Sequence, residues 1–408
     1  MKDSGIEWIG EIPDDWELRK VKQLFNIGRG RVISQSELEE TGYPVYSSQT
    51  KNNGCLGYIK TYDFDKTQLT WTTDGANAGT VFLREGKHNC TNVCGTLTPK
   101  DVRHNLLFLK YSLEYLAIYY KRADINGYKI MNNEMAEIRL VLPSRVEQDS
   151  IASFLDKKCA EIDAVLEKNR ESIEEYKKLK QAVITEAVTK GVRGNREMKD
   201  SGVEWIGEIP VEWNTINPKA LFTQRKDKAK AGEKQLTASQ QYGVIYQDEY
   251  MKLTGAKVVT VEKDFDILKH VECGDFVISM RSFQGGLEYS TNTGSISSAY
   301  VMLIPNLDLV FPRFFKWLLK SQIYINALQS TSNLVRDGQA MRYSNFAQVR
   351  LYTVPIDEQQ EIADYLDKKT TEIDTLIAKK EALLEELETY KKSLIYEYVT
   401  GKKQVVEA

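Results

Sequence analysis

The sequence predicts an α+β protein built as a tandem: two blocks of mixed strand and helix, each followed by a long helix, with the two helices packed as an antiparallel coiled coil of pseudo-twofold symmetry. Three observations predict it. Residues 1–16, MKDSGIEWIGEIPDDW, return at 198–213 as MKDSGVEWIGEIPVEW, changed only at Ile6/Val203, Asp14/Val211 and Asp15/Glu212. A second repeat starts near Gly127 and Gly338, passes through AEIRLVLPS and AQVRLYTVPI, and stays in register to Thr189 and Thr400. Neither 147–189 nor 358–400 contains Gly or Pro, and both are rich in Lys, Glu, Ala, Leu and Ile, the composition of long helices. Self-similarity on this scale sets the organisation before any single element is assigned.

Pro143 and Pro355 stand just upstream of the helical stretches and Gly191 and Gly401 just beyond, as start and stop signals. In the second stretch a heptad places Leu366, Ile373, Lys380, Leu387 and Leu394 at one seam position, and Ile362, Lys369, Leu376, Leu383 and Tyr390 at the other. The first stretch gives Leu155, Ile162, Asn169, Tyr176 and Val183 with Ile151, Lys158, Val165, Ser172 and Leu179. Helices of roughly 60 Å are too long to stand alone, so they are expected to pack on each other rather than each only on its own block. Asn169 and Lys380 are polar at matching heptad positions near the two midpoints, and an antiparallel pair would bring them level.

The resulting division is a first block 1–146, helix 147–190, linker 191–197, second block 198–357, helix 358–401 and tail 402–408. Within the blocks, Thr80–Leu83, Lys257–Val261 and Asp275–Ser279 read as strands, and Leu106–Arg122 and Pro312–Ser330 as helices. The repeated apolar residues Trp8, Ile9, Ile12, Pro13 and Trp16, with Trp205, Ile206, Ile209, Pro210 and Trp213, either anchor each block to the far end of a helix or belong to the block's own core.

Length and composition exclude several classes. A chain of 408 residues is too long for one small module, and it has neither an apolar run able to cross a bilayer nor a signal-peptide start, which predicts a cytoplasmic protein with no membrane partner. Five cysteines at 55, 90, 94, 159 and 273 do not form a disulfide framework. There is no phosphate-cradling GxxxxGK[ST] loop, and no Gly-rich nucleotide turn with a Pro-Pro tetrapeptide of the kind an adenine or cytosine methyltransferase needs. With three histidines, His-based catalysis has little material, and no catalytic residue is assigned. Asp156-Lys157-Lys158 and Asp367-Lys368-Lys369 resemble the tail of a nuclease motif, but their matched positions on the helices favour a solvated face. His88, Cys90 and Cys94, with Cys55 upstream, have zinc-ligand chemistry at loose spacing and no counterpart in the second half, so no metal is expected.

The net charge of −3 argues against DNA binding until it is divided. Residues 147–190 carry 8 basic and 10 acidic side chains and residues 358–408 carry 8 and 12, so the helices hold six net negative charges and the rest of the chain three positive. Basic clusters open each block: Arg19, Lys20, Lys22, Arg29 and Arg31, then Lys219, Arg225, Lys226, Lys228, Lys230 and Lys234. Arg, Lys, Asn and Gln on loops are the side chains that discriminate base edges. The candidates are Arg29, Arg31, Ser47, Gln49, Lys51, Asn77, Lys129 and Asn132 in the first block, and Arg225, Lys226, Lys228, Gln240, Arg281, Gln284, Arg336 and Arg342 in the second.

The paired EWIGEIP segments, the blocks ending in LPSRVEQ and VPIDEQQ, and the repeated I-A-x-[FY]-L-D-K-K-x-x-E-I-D helices together resemble the specificity subunit of type I restriction-modification enzymes, over essentially the whole chain. The resemblance implies two target-recognition domains, each reading one half of a bipartite, asymmetric site in double-stranded DNA, with the helices fixing the spacer. It implies two methyltransferase subunits docked on the helices and two restriction/translocase subunits, with S-adenosylmethionine, ATP and magnesium on those partners and no cofactor on this chain. A scaffold protein that binds other proteins, a standalone DNA-binding regulator and a nuclease using the DKK residues are the alternatives. The acidic total disfavours the regulator, and unlike polar loops on a repeated frame disfavour the scaffold.

Overall fold

The computed structural model describes residues 1–125, 127–258, 260–261, 267–279, 282–331 and 342–405. The chain divides into two compact units, one of residues 1–170 with 381–408 and one of residues 171–380. Each contains one α+β block and parts of both long helices, Arg145–Lys190 and Ile356–Val399, whose limits lie within two residues of those expected.

In the first unit an antiparallel sheet runs in the order Val81–Arg84, Gln68–Thr72, Cys94–Pro99, Phe25–Arg29. Its core shows why the sequence needs glycine at 95. The fully buried Trp71 lies over it, and a Cβ there would stand 2.3 Å from the indole. The Trp71 indole N–H donates to the Ile130 carbonyl at 3.0 Å, so burying this large side chain leaves no polar atom unpaired. A second sheet, Cys55–Ile59, Tyr43–Tyr46, Lys87–Cys90 and Phe64–Asp65, flanks the first, and a smaller one joins Arg122–Asp124, Gly127–Lys129 and Asp74–Gly75.

The second unit carries its own sheet, Phe222–Arg225, Val301–Pro305, Phe276–Ile278 and Glu288–Tyr289. Three expectations need correction here. Pro312–Ser330 is two helices, Pro312–Leu318 and Gln322–Ser330, because the buried Ser321 side chain caps the second through the Tyr324 N–H. In the first unit the corresponding helix ends at Leu116 and continues only as a single 3-10 turn, Ala117–Tyr119. Lys257, Val258, Thr260 and Val261 form no strand, and Val259 lies outside the described residues.

The constant sequence does the same work in both units. Gln148 accepts the Asn105 N–H at 2.9 Å and donates to the Pro143 carbonyl at 2.9 Å. Gln359 accepts the Phe311 N–H at 2.7 Å and donates to Val354 and Leu309. Each glutamine therefore pins the start of its block's helix to the start of the long helix. Asp156 accepts from the Tyr111 hydroxyl at 3.2 Å, and Asp367 from the Trp317 indole N–H at 2.8 Å and from Arg313. The DKK aspartates are thus tethers between block and helix rather than a plain solvated face.

The long helices run antiparallel in each unit. In the first, Asp163 pairs with Lys391 at 2.7 Å, Arg170 with Glu388 at 2.9 Å, and Phe154 packs on Tyr398. In the second, Lys180 pairs with Asp374 at 2.6 Å and the Lys380 ammonium lies 6.0 Å from the Tyr176 ring centre. Leu155, Ile162, Asn169, Leu366 and Ile373 are buried and Lys380 and Leu387 half-buried, as a seam requires. The other assigned position holds at its first members, the buried Ile151 and Ile362, and is corrected by one residue beyond them. Val165, Leu179, Leu376, Leu383 and Tyr390 are exposed, whereas Cys159, Leu166, Ile173 and Thr370 are buried in their place. Asn169 donates to its own helix at the Val165 carbonyl, 3.0 Å away.

The repeated Trp segments settle onto helix ends. In the first unit Ile6, Ile9, Ile12 and Trp16 share a core with Leu394, Ile395 and Val399, and Trp16 and Pro13 close over Gly401. In the second, Ile206, Ile209 and Trp213 pack with Ile184, Ala187 and Val188. There Trp213 stacks on Tyr352, whose hydroxyl donates to the Val188 carbonyl.

Candidate nucleic-acid interface

In the first unit the nominated residues form a connected rim at one end of the sheets. Arg29, at the end of its strand, donates to the Thr73 hydroxyl at 3.2 Å, and Asn132 donates to the Gly28 carbonyl at 3.4 Å. Thr73 leads into the turn that carries Asn77, whose amide donates to the Thr50 hydroxyl at 3.4 Å. Thr50 belongs to the loop that also holds Ser47, Gln49 and Lys51. Ser47 accepts from Thr91 at 3.0 Å, and the Gln49 amide donates to the Cys55 carbonyl. Lys129 lies on the strand paired with Asp74–Gly75, its ammonium 3.4 Å from Asp124.

Not every cation of the basic stretch that opens the first block is free for phosphate. Arg31 is held by Asp63 at 3.1 Å and Glu37 at 3.4 Å, Lys20 and Lys22 share Glu137, and Arg19 turns back to Glu17. The two lysines hold the exposed Glu137 carboxyl down at about 2, well below the ordinary range. Arg29 and the exposed Lys51 have no carboxylate within 4 Å among the described residues.

In the second unit Gln240 packs against Gly285, the residue after Gln284: a Cβ on Gly285 would stand 2.6 Å from the Gln240 side chain. Lys320 ties this corner down, donating to the Gln240 carbonyl at 3.2 Å and pairing with the buried Glu288 at 2.7 Å. Burial pushes the Glu288 carboxyl up despite that ammonium. Arg225 sits differently from its neighbours. Its guanidinium forks onto the buried Asp275 at 2.6 and 3.0 Å and also reaches Asp227, which makes it a structural cation of the block. Lys226 and Lys228 are exposed, as is Arg342 before the short helix Tyr343–Phe346. Arg281 and Arg336 lie outside the described residues.

The residues weighed as a metal cluster are otherwise engaged. Gln68, whose amide oxygen accepts from Thr98, donates its NH₂ to His88 Nε2 at 2.9 Å, and the opposite ring nitrogen donates to the Gly86 carbonyl at 2.8 Å. Burial pulls the His88 pKa down, in keeping with a neutral ring. Cys90 and Cys94 are buried beside each other, which drives the Cys90 thiol upward. Arg84 was not anticipated. It is 2% exposed at the end of Val81–Arg84, its guanidinium carbon 3.5 Å from the Tyr46 ring centre and 4.3 Å from that of Phe82. The only trace in the sequence is a charge closing an apolar strand.

A sequence profile described as the type I restriction modification DNA specificity domain matches residues 13–175. A putative type I specificity subunit N-terminus from Mycoplasma pneumoniae is 42% identical over 139 residues, 34% of this chain and 74% of that protein. Two further specificity-subunit relatives from that bacterium are matched over 38% and 59% of their own length. A putative type I restriction enzyme specificity subunit from Methanocaldococcus jannaschii is 25% identical over 90% of this chain and 89% of its own. A solved chain from a study of complex assembly and conformational transition of the type I R-M system shares the fold, with a TM-score of 0.67 at 12% identity over 96% of this chain and 100% of that one. The chain belongs to the type I restriction-modification specificity subunits. Among the described residues no helix is long and apolar enough to cross a membrane.

Proposed function

We propose that each α+β unit reads one short half of a split, asymmetric DNA site, and that the long helices set the spacer between the halves. The observation that carries this is a repeated frame bearing unlike readers. Gln148 and Gln359, and Asp156 and Asp367, do matching work in the two units. The rim side chains differ: Arg29, Gln49, Asn77 and Asn132 in one, Gln240 and Gln284 in the other. Two different surfaces on one scaffold are what two different DNA words require, since sequence is read by side chains on base edges and not by the scaffold.

The exposed second stripe of the helices supports docking. Val165, Leu383 and Tyr390 in the first unit and Leu376 and Leu179 in the second are large apolar side chains left in water at 39–54% exposure. Two such patches suit two methyltransferase subunits, which would bring S-adenosylmethionine and the adenine N6-methyl transfer. Two restriction subunits would add ATP- and magnesium-dependent translocation and cleavage. This chain contributes recognition and no catalysis, in the cytoplasm. Co-purification with a methyltransferase subunit, followed by mapping methylated adenines, tests the proposal. Adenine marks in a gapped, asymmetric motif are expected, and a complex that marks no gapped motif refutes it.

A further inference from the structure

The loop 50–54 in the first unit has an unusual backbone: Asn52, Asn53 and Gly54 follow one another at φ of 51°, 52° and 78°. Successive left-handed residues do not persist unless the surroundings impose them, even where asparagine and glycine lower the cost. What imposes them is Arg84. Its Nη1 donates to the Asn53 carbonyl at 2.8 Å and its Nε to the Thr70 hydroxyl at 3.1 Å, so one planar group ties the loop to the central sheet. Its Nη2 is buried without a hydrogen-bond partner among the described residues and lies 2.8 Å from where a Cβ on Gly54 would be, which keeps position 54 a glycine.

Packing alone does not account for this residue. No carboxylate lies within salt-bridge distance of it among the described residues, and its charge is stabilised by the Tyr46 and Phe82 rings instead. A buried cation without a counter-ion is costly, and an apolar side chain of similar volume would fill the space at lower cost. The arginine gives what an apolar residue cannot, a directional hold on the Asn53 carbonyl. The loop so held points Lys51, Asn52 and Asn53 into solvent, next to the Thr50–Asn77 contact. Asparagine amides pair bidentately with adenine edges, and the pairing needs the backbone fixed beforehand.

We propose that Arg84 is a specificity-positioning residue: it presets the left-handed turn that presents Asn52 and Asn53 as base readers of the first half-site. This rests on the reading of the chain as a DNA-specificity subunit. The test uses the full chain assembled with its methyltransferase, and methylation rates on duplexes carrying each single-base change in either half-site. Three forms are compared: wild type, Arg84→Met, and the double substitution Asn52→Gly with Asn53→Gly, which keeps the turn and removes the readers. Arg84→Met is expected to keep the melting temperature of the wild type while lowering discrimination about tenfold or more at one half-site only. One bidentate contact is worth roughly 5- to 150-fold. The glycine pair should affect the same half-site, and combining all three changes should add little to either. Unchanged discrimination in Arg84→Met, equal loss at both half-sites, or effects of the two variants at different half-sites overturns the proposal. Should Arg84→Met fail to fold, the glycine pair decides alone, and no half-site-specific loss in it overturns the proposal. A wild-type complex without sequence preference instead refutes the functional reading beneath it.

Discussion

Glu147 and Glu358 occupy the same place in the repeated EQ motif, yet their removal should have unequal consequences. The Glu358 side chain is fully buried, accepts the Trp213 indole N–H at 3.1 Å and pairs with Arg196, whose own side chain is 11% exposed. Glu358→Ala strands the buried indole donor, a loss of about 1–3 kcal/mol, and breaks a buried ion pair, for which removing one partner costs about 3–5 kcal/mol. Arg196 keeps Glu212 at 3.1 Å on the solvent side, which holds the total to about 3–4 kcal/mol. Glu147 instead caps the start of its helix, accepting from the Ser144 N–H at 3.2 Å and hydroxyl at 3.0 Å, so Glu147→Ala should cost about 1 kcal/mol. A chain of two units need not unfold in one step, so hydrogen exchange read separately over 184–213 and over 138–155 is the suitable assay. A difference of about 2–3 kcal/mol in local opening is expected. Equal effects would refute the assignment of Glu358 as the internal counter-charge of the second unit.

Other substitutions separate structure from recognition. Arg225→Ala leaves Asp275 charged and buried, so it should destabilise the second unit by about 3–5 kcal/mol, read by thermal melting; an unchanged melt would return Arg225 to the list of free DNA contacts. Asp367→Ala, which loses both Trp317 and Arg313, should weaken the second unit more than Asp156→Ala weakens the first, the latter by about 1 kcal/mol; equal losses by denaturant titration would contradict the tether reading. The Glu288 carboxyl is raised by burial, so the folded state binds its proton more tightly than the unfolded state does. Stability of the second unit should therefore fall as pH rises from the ordinary carboxylate value through the raised one. Glu288→Gln should flatten that fall, and a pH profile of melting identical to wild type would show that Glu288 does not carry it.

The helices were legible because they are long, uninterrupted and repeated, and their antiparallel sense was anticipated. Beyond Ile151 and Ile362 the second seam was misplaced by one residue because Val165, Leu376 and Tyr390 look like core, and the sequence does not show which apolar residues a helix leaves exposed. The DKK and EQ residues were visible as repeats, but their tethering roles depend on Tyr111, Trp317, Asn105 and Phe311, which lie 40 to 50 residues away in divergent sequence. Arg84 was unreadable for the same reason: its meaning lies in the Asn53 carbonyl, a group with no sequence identity.

The charge of the chain predicts how it should bind DNA alone. Of the nominated cations, Arg31 and Arg225 are committed to carboxylates and Lys129 is close to one, whereas Arg29, Lys51, Lys226, Lys228 and Arg342 have none within 4 Å among the described residues. Each phosphate neutralised contributes about 0.9 to the slope of log affinity against log salt. These five free cations therefore give the isolated chain a slope of roughly −4 to −5, shallow for a protein that must find one site in a genome. The six negative charges on the helices lower it further by opposing the phosphate field. Binding measured by fluorescence anisotropy from about 50 to 200 mM salt should show this slope for the chain alone. A slope of −8 or steeper for the isolated chain would mean that the internal ion pairs open on DNA, and that the carboxylates holding Arg31 and Arg225 are a reserve and not a commitment.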